Sequence, residues 1–433
     1  MNPDSADVLP VFDIGAVLGK QPKEYSAEDL KLCQDIAECL HQTGCLIVRD
    51  PRVPADMNDQ FLDLLERYFG QPMERKLEDC RPSLDYQVGA TPPGTEVPRC
   101  VVDPALQEQL RRLHATANQA TVPTGADAKW RFMWRVGPRP AATAFPELNA
   151  VPVVPKAFPE WCGLMDGWGA ALLGAATAVA GLAAVGLGLE PSALQEVMAG
   201  GPHLLAPTGS DLDVNCRTGV VLAGYHYDLN LLTVHGRSRF PGLYVWLRDG
   251  RRVAVRIPAG CLLMQAGKQL EWLTGGHIRA GMHEVVVTEA TLAAAEAARA
   301  AGRSTWRVSS TVFTHCCSDA LLRPLGRFGE QAATQEQEQQ AAGAYPATRA
   351  GEQVQRELEA ICLRKVGADA TNVSCPGGGI SSGANSGCSS GSGSGKAEGL
   401  GMSSGRAANV VNSSGALAGA HTTATGVAVA GNR

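Results

Sequence analysis

Gly-Tyr-His-Tyr-Asp-Leu-Asn-Leu-Leu-Thr-Val, at residues 224–234, is the stretch that decides the fold of this 433-residue chain. Its aromatic and branched residues predict a β-strand. Side chains two apart on a strand point to the same face, so His226 and Asp228 would share one face. The two tyrosines, Tyr225 and Tyr227, would point away from it.

A later strand-like run, Gly-Met-His-Glu-Val-Val-Val at residues 281–287, adds a third candidate ligand, His283. Two imidazoles and one carboxylate on one side of a metal, with the other positions open, form the facial triad of non-haem Fe(II) oxygenases. The alternative is a hydrogen-bonded core pair of His226 and Asp228, with His283 unrelated. The chain has only 9 His, and two of them fall in strand-like runs in this order, which favours the metal site.

Short apolar runs separated by turn signals dominate the chain from about residue 203. Asp249-Gly250 joins two alternating runs and is a strong hairpin signal. Many short strands at this spacing predict a β-sandwich or a barrel. The predicted strands are Val220–Asp228, Leu231–His235, Leu243–Leu247, Val253–Ile257, Cys261–Gln265, His283–Val287 and Trp306–Phe313.

The sequence pattern divides the chain into four segments. Helical patterns dominate residues 1–200, and strands dominate residues 201–330. The segment 331–366 contains a predicted helix, Glu352–Leu363, whose apolar stripe is expected to dock on the core. Residues 367–433 are rich in Gly, Ser and Ala, and this composition predicts a disordered tail.

The composition argues against several classes of function. The net charge of −5 disfavours non-specific electrostatic binding to nucleic acid or to an anionic membrane. The 13 Cys show no Cys-x-x-Cys spacing, and the N-terminus has neither the basic nor the apolar region of a secretory signal. We therefore expect reduced thiols and a cytoplasmic protein.

The segment Gly167–Leu189 allows two interpretations. It contains no charged residue and is long enough to span a bilayer. However, it consists mostly of Ala and Gly, and no Lys or Arg flanks it to set an orientation. This composition favours a tightly packed internal helix.

Residues 129–135 alternate between an aromatic and a mainly basic face. Basic residues interleaved with aromatic ones occur in sites for single-stranded nucleic acid. A half-buried strand with its aromatic side chains in the core is the favoured alternative, because this is one such patch on an acidic chain. The residues suggested to line a substrate pocket here are Trp130, Arg131, Trp134 and Arg135.

Six segments in chain order match the elements of one known family. They are Leu9–Asp13, Gly44–Val48, Tyr68–Lys76, Pro241–Trp246, Ala259–Gly267 and Arg307–Ser309. In this order they resemble the isopenicillin N synthase-like (clavaminate synthase-like) superfamily of Fe(II)/2-oxoglutarate-dependent dioxygenases, from about residue 8 to residue 316. The resemblance implies a mainly β fold with flanking helices. Its core would be a double-stranded β-helix, or jelly roll, with a helical N-terminal portion.

The resemblance also implies a role for each site residue. His226, Asp228 and His283 match the iron ligands, while Arg307 and Ser309 match the pair that holds the far carboxylate of 2-oxoglutarate. A guanidinium fork suits a carboxylate in this role. The implied reaction hydroxylates a small molecule with Fe(II), O2 and 2-oxoglutarate, releasing succinate and CO2, and ascorbate would serve as reductant in vitro. A monomer with no nucleic-acid or membrane partner is expected.

The chain departs from the family at four places, one of which is the Ala-rich segment Glu289–Ala301, which separates His283 from Arg307 by more than is typical. Where the family has an Asn-x-Tyr strand, this chain reads His-Leu-Leu-Ala-Pro-Thr at residues 203–208, without the tyrosine. Lys268 and Glu284 stand where an acidic residue and an arginine are usual. Two alternatives therefore stay open: an Fe(II) oxidase that works without 2-oxoglutarate, and a non-catalytic jelly roll that binds a metal or a small acid. The substrate is not identified by the sequence.

Deleting residues 367–433 should leave both the melting temperature and 2-oxoglutarate turnover unchanged within error. The tail has almost no aromatic or large aliphatic residues, so no packed core can depend on it. The cut must spare the predicted helix Glu352–Leu363. Calorimetry and a succinate assay on the truncated chain test this, and a large loss of stability would show that the tail folds against the domain.

Overall fold

The computed structural model describes residues 9–114, 119–330, 345–361 and 363, so the predicted tail at 367–433 lies outside the described residues. Most strands of the described part belong to two sheets. In chain order the strands are β1 (Val11–Asp13), β2 (Cys45–Arg49), β3 (Gly89–Thr91), β4 (Trp130–Val136), β5 (His203–Leu205), β6 (Thr208–Asp211), β7 (Val221–His226), β8 (Leu232–His235), β9 (Leu243–Trp246), β10 (Arg252–Ala254), β11 (Leu262–Ala266), β12 (Met282–Val286), β13 (Trp306–Val308), β14 (Thr311–Thr314), β15 (Leu321–Leu322) and β16 (Thr348–Arg349).

The first long helix begins and ends at capping residues. Ser26 and Asp29 form a reciprocal capping box before the first long helix, and Gly44 ends that helix with a positive φ of 76°. In chain order the helices are α1 (Ala27–Thr43), α2 (Ala55–Phe69), α3 (Met73–Leu77), α4 (Arg99–Val102), α5 (Pro104–His114), α6 (Trp161–Gly186), α7 (Ala193–Met198), α8 (Lys268–Leu273), α9 (Glu289–Ala300), α10 (Arg327–Glu330) and α11 (Ala350–Ala360).

Two sheets pack against each other. The large sheet runs β1-β2-β11-β8-β14-β5-β4-β6-β13, with β3 paired to β4, and the small sheet runs β10-β9-β12-β7. Val245 and Val253 of the small sheet join an apolar cluster with Ile47 and Leu263 of the large one. The two sheets therefore form a sandwich, and a cavity remains between them.

Alternation along β8 shows how the large sheet separates the core from the interior of the sandwich. Leu232 and Val234 belong to the main apolar cluster, together with residues of α1, α2 and α6. The intervening side chains have polar partners, since Thr233 donates to Asp228 and His235 contacts Gln265. Successive side chains of a strand point to opposite faces, so the helices cover one face and polar groups occupy the other.

Several predicted boundaries differ from the observed ones. β7 ends at His226, so the prediction that His226 and Asp228 share one strand is wrong. The single strand predicted at Trp306–Phe313 is divided into β13 and β14, which pair with different neighbours. The division occurs because Ser309 binds Thr208 while the carbonyl of Ser310 binds Gly236. In addition, the N-terminal portion supplies β1 to β4 of the large sheet.

The basic and aromatic strand β4 lies inside the protein, with all seven residues buried. Its aromatic side chains belong to the main apolar cluster, as predicted. On the other face, Nη2 of Arg131 lies 2.8 Å from Oε2 of Glu96. Of the residues suggested to line a pocket, Arg131 does line the cavity between the sheets. Trp130, Trp134 and Arg135 do not line that cavity, so the suggestion is wrong for them.

Helix α6 is long and apolar enough to cross a membrane by length and composition alone. Half of its qualifying 18-residue window is buried inside the protein. Trp168, Leu172 and Val179 belong to the main apolar cluster, and Nε1 of Trp168 donates to the hydroxyl of Ser310 at 2.6 Å. The helix therefore packs on the sheet through its apolar residues.

Gly186→Ala should destabilise the protein, because α6 and α1 meet closely at this glycine. A Cβ there would overlap the carbonyl oxygen of Cys33 and crowd Ala37. Overpacking costs about 1–3 kcal/mol, which exceeds the gain in helix propensity of up to about 1 kcal/mol. Gly174→Ala is the matched control in the same helix, because nothing lies within 4 Å of its Cβ position.

Urea unfolding of the two variants measures the difference. Gly174→Ala should unfold at the same or a higher urea concentration than the wild type, and Gly186→Ala at a lower one. Equal stability of the two variants would contradict the close approach of the helices.

Candidate metal centre

Three side chains meet at the edge of the small sheet. Nε2 of His226 lies 3.6 Å from Oδ1 of Asp228, and Nε2 of His283 lies 3.7 Å from Oδ2 of the same carboxylate. The centroids of the two imidazole rings are 4.2 Å apart. One ligand atom from each residue lies within 4.8 Å of the others, a spacing that a single ion can bridge. The structure thus brings all three predicted ligands together.

Strand pairing places the two histidines side by side. β7 and β12 are antiparallel, and His283 is the direct partner of His226 in their register. The register shifts between His283 and Val285, which is a bulge or irregularity of the ladder. Bulges are frequent next to active sites because they change the direction of a side chain.

The position of Asp228 is fixed by the loop that follows β7. Its carbonyl oxygen accepts from the backbone N–H of Lys268 at 2.8 Å, and its Oδ2 accepts from the hydroxyl of Thr233 at 2.6 Å. Gly267 lies so close to this loop that a Cβ there would overlap the carbonyl oxygen of Asn230. The start of α8 therefore holds the carboxylate in place beyond the end of its strand.

Backbone carbonyls orient both imidazoles. Nδ1 of His226 lies 2.6 Å from the carbonyl oxygen of Gly224, and Nδ1 of His283 lies 3.3 Å from that of Gly281. An imidazole that donates its Nδ1–H to a carbonyl keeps the lone pair of Nε2 for a metal. Both Nε2 atoms face Asp228, so two nitrogen donors and one oxygen donor fit a divalent transition metal.

The protonation of the cluster also suits a metal. Burial raises the pKa of Asp228, but His283, His226 and the Thr233 hydroxyl outweigh burial and hold that pKa well below its usual range. Burial, together with the nearby His226, lowers the pKa of His283 to about 3, so this ring is neutral at neutral pH. Burial opposes charge on His226 too, yet Asp228 keeps its pKa raised. A metal binds the neutral form of this imidazole, so metal binding would favour loss of a proton from His226.

The cluster opens into a space of about 330 Å³ between the sheets, which we call the first cavity. It is lined by residues of both sheets. Its polar and charged lining side chains include Lys129, Arg131, Thr208, His226, Asp228, His235, Arg237, Arg239, Arg256, His283, Arg307, Ser309 and Thr311.

Arg307 is a buried cation that faces the first cavity and is only 5% exposed. Its Nε donates to the carbonyl oxygen of Pro241 at 3.2 Å, and it pairs with no carboxylate of the described residues. Burial lowers the pKa of Arg307 to about 10, so the group stays charged at neutral pH. An unpaired buried charge is unfavourable, and a ligand carboxylate in the cavity would compensate it.

Ser309 also lines the first cavity, although it lies just beyond the end of β13. Its hydroxyl oxygen accepts from the backbone N–H of Thr208 at 2.9 Å and lies 2.8 Å from the Thr208 hydroxyl. The two hydroxyl groups therefore form a pair on the cavity wall near Arg307. The residues present thus fit a dicarboxylate whose one end meets the metal and whose other end meets Arg307.

His235 lines the first cavity beside the cluster, although no sequence motif marks it as a site residue. Its ring centroid lies 6.2 Å from that of His283, and its Nε2 lies 2.7 Å from Oε1 of Gln265. Its Nδ1 lies 3.1 Å from the hydroxyl of Thr311. The alternation of β8 is the signal that could have found it, because this strand carries polar side chains at every second position.

The two unusual charges near the site are each compensated locally. Nζ of Lys268 lies 2.6 Å from Oε1 of Glu271. Oε1 of Glu284 lies 2.6 Å from Nη2 of Arg252, and its Oε2 accepts from the backbone N–H of Thr121 at 3.0 Å. These substitutions therefore leave the three metal-facing side chains undisturbed.

No protein-family profile matches the sequence, and no curated protein sequence matches it significantly. Solved structures do match the fold. A full-length Neurospora crassa protein in complex with 2-oxoglutarate (alpha-KG) has a TM-score of 0.61 at 18% identity, covering 83% of this chain and 98% of that chain. A Caulobacter crescentus protein assigned to the 2OG-Fe(II) oxygenase family has a TM-score of 0.59 at 20% identity, covering 82% and 99%.

A third match is Arabidopsis thaliana AtDAO1, a dioxygenase for auxin oxidation in complex with 2-oxoglutarate. It has a TM-score of 0.50 at 17% identity, covering 74% of this chain and 97% of that chain. At sequence identities this low, the structural similarity establishes the fold alone. The chain therefore has the jelly-roll fold of the 2-oxoglutarate–Fe(II) oxygenases, and the predicted fold class is confirmed.

Asp228→Ala should reduce bound iron from about one ion per chain to less than about one tenth, because two neutral imidazoles alone hold Fe(II) weakly. Thr233→Val should weaken binding by about 10–100-fold, since it removes a hydrogen bond to the ligand carboxylate. Iron content after anaerobic loading, measured by elemental analysis, checks both.

His235→Ala is the matched control, because this partly buried histidine neighbours the cluster without belonging to it. It should retain its iron. Full occupancy in Asp228→Ala, or equal loss in His235→Ala, would show that the metal ligands are assigned incorrectly.

Proposed function

We propose that this protein is an Fe(II)/2-oxoglutarate-dependent oxygenase that hydroxylates a small molecule. The observation that carries the proposal is a single cavity lined by both the His226–Asp228–His283 cluster and the buried, unpaired Arg307. One end of that cavity offers ligands for a metal, and Arg307 offers a cation for a carboxylate.

When bound, Fe(II) with 2-oxoglutarate supplies O2 activation, so that a substrate C–H becomes C–OH while 2-oxoglutarate and O2 yield succinate and CO2. The protein contributes the geometry. His226, Asp228 and His283 would hold the metal, and their partners Gly224, Gly281 and Thr233 keep each ligand atom directed towards it. Ligands fixed in advance need no reorganisation during the reaction.

Arg307 would hold the far carboxylate of 2-oxoglutarate by charge-assisted hydrogen bonds, with the hydroxyl pair of Ser309 and Thr208 beside it. The excess of positive charge in the first cavity supports this role. Arg237 and Arg256 also line it and pair with no carboxylate of the described residues. A dianion is therefore attracted to this cavity, and it would compensate the charge of Arg307.

The family's Asn-x-Tyr tyrosine is missing from this chain, which favours the alternative of an oxidase that works without 2-oxoglutarate. Burying an unpaired guanidinium is costly, and the far carboxylate of 2-oxoglutarate would compensate the charge of Arg307. Thr208, within the segment where the family has that strand, presents a hydroxyl at the cavity wall. Arg307 is thus the feature that favours 2-oxoglutarate over the oxidase.

A small-molecule substrate is consistent with proteins that share the fold. The same Neurospora crassa protein has been crystallised with thymine together with 2-oxoglutarate, at a TM-score of 0.60 and 19% identity. JOX2 has been crystallised with 2OG, Fe and JA, at a TM-score of 0.51 and 16% identity.

Arg307→Ala should weaken 2-oxoglutarate binding at least tenfold while iron binding stays intact. Charge-assisted hydrogen bonds contribute about 1.5–3 kcal/mol each, and about 1.4 kcal/mol corresponds to tenfold in affinity. Anaerobic titration of the Fe(II) protein, followed by its metal-to-ligand charge-transfer band, measures the constant.

Arg256→Ala is the matched control, because this exposed arginine lines the same cavity. Its removal should change the affinity by no more than about twofold, as expected for an exposed charge. Equal affinity in Arg307→Ala and the wild type would favour the oxidase.

A further inference from the structure

Two cavities share residues of the metal cluster. A second cavity has a volume of about 80 Å³. Its lining includes His226 and Asp228 together with Tyr227, Asn230 and His315. The sequence pattern predicts that Tyr227 points away from His226 and Asp228. This prediction is wrong, because Tyr227 lines the second cavity together with them. Both cavities reach the same candidate ligands, so molecules in them would meet at one metal.

Helix α11 forms part of the wall of the second cavity. Leu358, Ile361 and Leu363, on or just after α11, form part of its wall. Arg99 pairs with Glu357 of that helix, and the backbone N–H of Val97 donates to the carbonyl of Ile361 at 3.2 Å. A group held in this cavity would therefore contact a segment distant in sequence from the metal cluster.

The charges of the two cavities differ. In the first cavity, Arg237, Arg256 and Arg307 have no carboxylate partner among the described residues. In the second, the cations in the lining are Arg99 and Arg131, and each is neutralised by a glutamate.

The second cavity also contains four acidic side chains. Three of them are already paired with cations and Asp228 faces the metal site, so an incoming carboxylate would find no unpaired cation to compensate its charge, which is unfavourable in a buried site. The acidic residues of the lining are Glu96, Asp127, Asp228 and Glu357.

Two buried polar side chains of the second cavity lack partners. Asn230 is 1% exposed, and its Nδ2 makes no hydrogen bond to the described residues. His315 is 4% exposed, and its Nδ1 is likewise unpartnered. Buried polar groups are normally paired, so a site of this kind calls for a ligand or water to complete it. Apolar side chains, among them Phe313 and Leu358, form much of the remaining wall.

We propose that the primary substrate binds in the second cavity and is an uncharged molecule with a carbonyl or amide group on an apolar frame. This inference rests on the oxygenase function proposed above. Asn230 would donate to the carbonyl, and His315 would complete the hydrogen bonding of the same group. The anionic cosubstrate and the neutral substrate are thus separated by charge in the two cavities.

The test uses matched pairs of fragments that share one skeleton and differ only as primary carboxamide or carboxylate, for example benzamide and benzoate. The full chain is loaded with Zn(II) in place of Fe(II) and saturated with 2-oxoglutarate, so that the first cavity is filled and no turnover occurs. Ligand-observed NMR then measures each affinity. Carboxamides should bind at least tenfold more tightly than their carboxylate partners across the set.

Leu358→Trp locates the binding, because the larger side chain would fill the second cavity. Carboxamide binding should disappear in this variant and persist in Glu359→Trp, a control at the neighbouring exposed position of α11. If Leu358→Trp does not fold, Ile361→Trp replaces it, since Ile361 is only partly buried.

The outcomes separate the two proposals. Two results would overturn the assignment of a neutral substrate to the second cavity. One is tighter binding of the carboxylates, and the other is carboxamide binding that is either undetectable or unaffected by Leu358→Trp. Failure of 2-oxoglutarate itself to bind the Zn(II) protein would instead count against the proposed oxygenase function.

Discussion

The site depends on the antiparallel pairing of β7 with β12, which sets His226 directly opposite His283. A shift of one residue would turn one imidazole to the other face of the sheet, because strand side chains alternate with period two. The pairing alone does not place the carboxylate. Asp228 is positioned by a second constraint, the close approach of Gly267 and the N-terminus of α8 to the loop after β7.

Buried charge is organised around this cluster by a simple rule. The other buried cations that line its cavities have a carboxylate partner: Lys129 pairs with Asp127 and Glu96, and Arg131 pairs with Glu96. Arg307 is the exception, because it is buried and lines the first cavity but has no carboxylate partner among the described residues. A site that neutralises its other buried cations and leaves one unpaired retains a place for an anion, since pairing that cation internally would abolish the attraction.

The sequence predicts the candidate ligands because they are carried by local patterns, His-x-Asp and the run around His283. It also predicts the strands of the core, whose alternation reflects two different faces. It does not place Asp228 beyond the strand end, since that depends on Lys268, forty residues later in the chain. The partnership of Arg131 with Glu96 is also hidden from local pattern, because the two residues are brought together only by the folded chain.

The residues that differ from the family's usual ones also show that local sequence does not reveal partners distant in the chain. Glu284, where arginine is usual, looks disruptive in sequence because it adds an acidic group beside a candidate ligand. In the structure it is directed to Arg252, whose guanidinium also lies 3.6 Å from the centroid of the Tyr244 ring. Charge and aromatic contact thus satisfy Glu284 within the small sheet. The polar requirements of a site are met by the surrounding fold, so an unusual residue next to a ligand changes the chemistry only when its partner is missing.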